Sequence, residues 1–221
     1  MSPEPSEVTP QRAQARRLAT AMRDVIERLV ATKAPADVLE DAAAQLEAIA
    51  GSLAGYDRGH SFEGFGDGSF AESANSGNTH AFFDHSPLIG LANPLAPPLQ
   101  LQTVDGQVIG AARFGSAYEG PPGCVHGGFI AAAFDEVLGM AQSLGGRPGM
   151  TGTLTIRYRR PTPLHADLRF EATLDRVEGR KIFTTGRLLH GDDVTAEAEA
   201  IFITVDFAKM AQLAREQGPR G

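Results

Sequence analysis

The sequence predicts an α+β fold in which one antiparallel sheet wraps a single long apolar helix, preceded by a pair of amphipathic helices. A proline-free stretch from His126 to Gln142 carries an apolar stripe at helical spacing. Around it, segments alternating apolar and polar residues are joined by short turns, which implies antiparallel pairing. Two earlier stretches repeat apolar residues every three or four positions.

Residues 1–54 are expected to form a helical hairpin. After a polar, proline-rich start, Leu18, Met22, Val25, Ile26 and Leu29 make one stripe, broken at Lys33 to Pro35. Asp37 is the expected N-cap of the second helix, whose face is Leu39, Ala42, Leu46, Ile49 and Leu53. These stripes need a partner, either the main domain or another chain. Residues 55–79 are rich in Gly, Ser, Asp and Asn without apolar period, and read as a flexible linker.

The main domain spans residues 80–207. His80, Asp84 and His85 have metal-ligand side chains but no fourth ligand at hand. This segment is therefore expected to dock on the core through Phe82, Phe83, Leu88 and Ile89, and no metal or cofactor is expected. Leu99 to Thr103 and Val108 to Phe114 flank the hairpin turn Asp105-Gly106. Beyond the central helix, Leu154, Ile156 and Tyr158 alternate with Thr153, Thr155, Arg157 and Arg159, and strands follow at Leu168 to Leu174, Lys181 to Leu189 and Val194 to Phe207. Residues 208–221 are a C-terminal tail.

The central helix follows Pro121, Pro122 and Gly123, so it begins at or near His126. Phe129, Ile130, Ala133, Phe134, Val137, Leu138 and Ala141 face the sheet. The opposite flank is Gly128, Ala131, Ala132, Asp135, Gly139 and Gln142, small residues around one carboxylate. Glycine inside a helix costs up to about 1 kcal/mol against alanine, so a ligand or another backbone is expected against this flank. The first turn offers unpaired N–H groups and the positive end of the helix dipole, and Gly127 and Gly128 allow close approach. Donors for developing negative charge and a carboxylate about two turns on are the parts needed to hydrolyse an acyl compound. Glu136 sits off that flank and is expected to be an outer partner or a solvated residue.

Composition excludes several classes. The net charge of −7 argues against a phosphate-driven nucleic-acid binder. No apolar run approaches a membrane span, and the N-terminus has no signal core. The lone cysteine, Cys124, excludes an internal disulfide framework and suits a reducing compartment, so a cytoplasmic protein is expected. Neither a Gly-x-Ser-x-Gly elbow nor a His-Glu-x-x-His zinc motif occurs.

The stretches PPGCVHGGFIAAAFDEVLG (Pro121 to Gly139) and MTGTLTIRYRRPTPL (Met150 to Leu164) resemble the hotdog-fold acyl-CoA thioesterases. The likeness covers about residues 98–206, and is closest to the thioesterase superfamily member 4 type and more distant to the phenylacetate-pathway thioesterases. It implies Asp135 as the catalytic carboxylate, His126, Gly127 and Gly128 as the carbonyl-binding turn, and Thr151 as a helper hydroxyl. The phenylacetate type has asparagine where this chain has Gly120. The resemblance also implies a homodimer or homotetramer in which the turn of one subunit faces the aspartate of the other, with acyl-CoA between them. Arg157, Arg159 and Arg160 are candidates for the CoA phosphates. The rivals are an acyl-thioester hydratase or dehydratase on the same fold, whose Asp and His partners are missing around Asn93-Pro94, and a non-catalytic acyl-CoA binder.

Overall fold

The computed structural model describes residues 9–56, 83–97, 99–146 and 149–205. Most of the expected linker, His80, Phe82 and the expected C-terminal tail lie outside the described residues. Helix α1 is Pro10–Ala31 and helix α2 is Ala36–Leu53. Strands β1 (Gln100–Val104) and β2 (Gln107–Ala112) form a hairpin, helix α3 is Gly127–Ser143, and β3 (Gly149–Tyr158), β4 (Leu168–Glu178), β5 (Lys181–His190) and β6 (Asp193–Thr204) follow.

The six strands make one antiparallel sheet in the order β1-β2-β4-β5-β6-β3. It curls round α3, the hotdog arrangement the sequence predicts. The β1–β2 turn holds Asp105 at φ 50° and Gly106 at φ 77°, the left-handed pair a two-residue hairpin requires. Ile130, Ala133, Phe134, Val137, Leu138 and Ala141 are buried against the sheet, and the Phe134 and Phe170 rings meet edge-on at 5.2 Å. Phe83 and Ile89 pack on the same core, as expected of a docking segment.

Helix α1 holds the domain by charge rather than by its apolar stripe. Arg12 and Arg16 both bind Asp84, the Arg16 Nε at 2.8 Å, and the Asp84 side chain is only 5% exposed. Arg23 donates to the carbonyls of Asn93 at 2.9 Å and Leu91 at 3.3 Å. Glu27 accepts the N–H groups of Ser116 at 2.8 Å and Ala117 at 3.1 Å. Ala19 is the buried apolar residue of α1, and α2 has no buried residue.

Asp84, in the docking segment, serves as an ion-pair partner of α1. One sequence expectation is corrected. Helix α2 begins after Pro35, which puts Asp37 inside the first turn, where it opposes the positive helix end without capping it.

Replacing Asp84 by Asn weakens α1 docking by about 1–3 kcal/mol, since a largely buried, doubly paired carboxylate is lost. Hydrogen exchange should show faster amide exchange along α1 with α3 unchanged; equal protection of α1 in both proteins refutes the assignment.

Candidate active site

The turn ahead of α3 is fixed from several sides. Gly120 N–H donates to Cys124 O at 2.9 Å, Gly123 N–H to Glu119 Oε1 at 2.7 Å, Val125 N–H to Thr162 O at 2.8 Å and His126 N–H to Tyr118 O at 2.8 Å. Tyr118 belongs to the short 3₁₀ turn Ser116–Tyr118, whose leading N–H groups are the ones Glu27 binds. Its ring lies edge-on between Phe114 and Phe129. Helix α1 therefore braces the turn at the head of α3, a link the sequence alone does not signal.

His126 is the N-cap of α3, and its Nδ1 accepts the Gly128 N–H at 3.0 Å. In the neutral ring the proton then sits on Nε2, available as a donor. Gly127 N–H has no acceptor among the described residues, whereas its carbonyl accepts the Tyr158 hydroxyl at 2.8 Å. A Cβ at Gly120 would lie 2.7 Å from the His126 Cα, so this backbone has no room for the asparagine of the phenylacetate type.

Asp135 lies eight residues after Gly127, about 12 Å along the helix axis. It is partly exposed on the small flank, and its Oδ1 accepts the Thr151 hydroxyl at 2.7 Å. Plain alternation along β3 would put Thr151 on the outer face with Thr153. A bulge at Gly152, between the pairs Thr151 with Phe202 and Thr153 with Ile201, turns Thr151 to the helix side. A Cβ there would meet Ile203 at 3.1 Å, which accounts for the glycine.

Gly128, Ala131, Ala132, Asp135 and Gly139 remain accessible, as expected of the small flank. Gln142 does not: it is 1% exposed, covered by the start of β3, where Gly149 leaves space for its amide. Glu136 departs from expectation too. It lies under the 84–90 turns, with the Ser86 hydroxyl 3.4 Å from its Oε1. Burial, reinforced by the neighbouring Asp135 charge, raises its pKa to about 7. No sequence pattern marked it, because the segment covering it is distant in the chain.

The three candidate arginines differ. Arg159 binds Glu197 Oε2 at 2.8 and 2.6 Å, and Arg160 binds Asp193. Arg157 has no ion pair among the described residues.

A crystal structure described as a thioesterase superfamily protein is 36% identical to this chain, with 86% of this chain and 90% of that one covered and a TM-score of 0.73. The chain belongs to the thioesterase superfamily. The family model of that description matches residues 122–197, from the turn before α3 into β6. Among named relatives of this superfamily member, the acyl-coenzyme A thioesterase THEM4 of Xenopus laevis is 37% identical over 91 residues, 40% of this chain and 41% of that protein. The Bos taurus THEM4 is 37% identical over 94 residues, 42% and 38% respectively. The chain thus spans well under half the length of these relatives. Among the described residues no helix is long and apolar enough to cross a membrane.

Because Glu136 keeps its proton up to about pH 7 when folded but only to about 4.5 when unfolded, its contribution to stability is greatest below the lower value. It falls as pH rises through the upper one. Glu136→Gln should therefore raise Tm above wild type at about pH 8, with the gap closing near about pH 4. Parallel Tm curves across that range would show that Glu136 titrates normally.

Proposed function

We propose that this protein hydrolyses the thioester of an acyl-CoA to a free acid and CoA, in a site shared between two copies of the chain. The observation that carries this reading is the Thr151-bound Asp135 on the small flank of α3, about two turns along the same helix from a Gly127 N–H that has no acceptor among the described residues. The THEM4 relatives, named acyl-coenzyme A thioesterases, supply the substrate class.

The thioester oxygen accepts the Gly127 N–H at the positive end of α3, with the His126 Nε2–H as a second donor, so charge developing on that oxygen is met by fixed dipoles. Gly128 N–H is engaged by His126 and joins only when that ring turns. Asp135 activates water or attacks the carbonyl carbon directly, and Thr151 fixes one of its oxygens so that the other faces the substrate.

About 12 Å along one helix separates donors and carboxylate, too far to act on one carbonyl from a single chain. A second copy resolves this by bringing its turn to the first copy's aspartate, in a homodimer or homotetramer. The outer edge of β3 suits that contact: it is the end strand of the sheet, ten residues long, and none of its residues is buried. Arg157, Arg159 and Arg160 supply cations for the CoA phosphates, Arg157 being the one not already held by a carboxylate. A cytoplasmic location fits the single free thiol.

A panel of acyl-CoAs with free-thiol detection tests the activity. Asp135→Asn should lower kcat by about a hundredfold or more with little change in Tm. Near-normal turnover by this variant sinks the assignment, and binding without hydrolysis by the wild type makes the protein a carrier. Gly127→Pro deletes the free N–H at the first helical position, where proline is tolerated, and should be equally inactive. Mixing the two inactive variants and allowing subunit exchange should restore about a quarter of the wild-type sites. No restoration would place each site within one chain.

A further inference from the structure

Two hydrogen bonds run in series through one peptide unit at the head of α3. The Tyr158 hydroxyl donates to the Gly127 carbonyl at 2.8 Å. That carbonyl and the Gly128 N–H belong to the same planar amide, and the Gly128 N–H donates to His126 Nδ1 at 3.0 Å. A donor on the carbonyl oxygen polarises the amide and makes its N–H a stronger donor, so bonds in such a chain strengthen one another by about 10–30% each. With Nδ1 engaged as an acceptor, the neutral imidazole carries its proton on Nε2. The chain therefore runs from a strand tyrosine to a ring N–H.

The two glycines of the turn leave room for both rings. A Cβ at Gly127 would lie 3.3 Å from both Cζ and Oη of Tyr158, and a Cβ at Gly128 would lie 3.1 Å from His126 Nδ1. A side chain at either position presses on one link of the chain. The Phe129 ring meets the His126 ring edge-on at 6.3 Å. Tyr158 is the last residue of β3, paired with Ala196, and it continues the alternation of Leu154 and Ile156. Strand β3 thus touches α3 at both ends of the candidate site, with Thr151 on the Asp135 carboxylate and Tyr158 on the Gly127 carbonyl.

We propose that Tyr158 is a positioning residue: acting through the Gly127–Gly128 peptide, its hydroxyl holds His126 with the proton on Nε2 and strengthens that N–H as a donor to the thioester oxygen. The role of the Nε2–H rests on the thioester-hydrolase reading. The chain from Tyr158 to His126 does not.

Tyr158→Phe removes the hydroxyl and keeps the ring. At about pH 8.5, where an ordinary histidine is neutral, ring nitrogen chemical shifts should show His126 of the wild type as the Nε2–H tautomer. Tyr158→Phe should move the Gly128 amide proton upfield as its bond to Nδ1 weakens, with Tm little changed. On an acyl-CoA that the wild type cleaves, kcat should fall about three- to tenfold at unchanged KM. In a His126→Asn background, which keeps a helix cap but lacks the Nε2–H, the same change should leave kcat within about twofold. The proposal is overturned by a wild-type ring protonated on Nδ1, by a Gly128 amide that Tyr158→Phe leaves unmoved, or by an equal loss of kcat in both backgrounds. Absence of hydrolysis by the wild type would sink the thioester reading and the Nε2 role with it, while the two resonance results still decide the chain.

Discussion

The structure depends on how an apolar helix is covered. Helix α3 has apolar residues round most of its circumference, and six strands of one sheet enclose it without closing the cylinder. The uncovered flank is made of Gly128, Ala131, Ala132 and Gly139, residues with too little side chain to penalise exposure heavily. Asp135 stands on this accessible flank. One step of 100° along the helix, burial raises the Glu136 carboxyl to a pKa of about 7.

The second constraint lies at the start of α3. A helix N-terminus exposes N–H groups that must be satisfied, and here His126 takes one while Gly127 keeps another open. Keeping that donor open requires the preceding turn to be rigid. The rigidity comes from the carbonyls of Thr162, Cys124 and Tyr118, and at one remove from Glu27 on α1. The N-terminal helix is therefore part of the support of the candidate site, through Glu27 and the turn it holds.

The bulge at Gly152 shows how a single residue can redirect a functional group. Without it, Thr151 would share the outer face of β3 with Thr153, and Asp135 would lose its hydroxyl partner. Among the described residues the same strand ends the sheet with its outer edge unpaired, so the element that binds the Asp135 carboxylate is also the one suited to meet another copy.

The sequence by itself determined the order of elements, the hairpin turn at Asp105-Gly106, the sheet-facing stripe of α3 and the small flank carrying Asp135. Each is a local pattern with a fixed period or a turn chemistry. Only the tertiary structure decided that Asp84 pairs with α1 arginines, that Glu136 is covered by the segment near Ser86, that Gln142 is buried by the start of β3, and that Thr151 turns inward. These depend on residues far apart in the chain, and on a bulge that breaks the two-residue period. Periodicity places a side chain on its own helix or strand; what lies opposite is set only when the chain closes on itself.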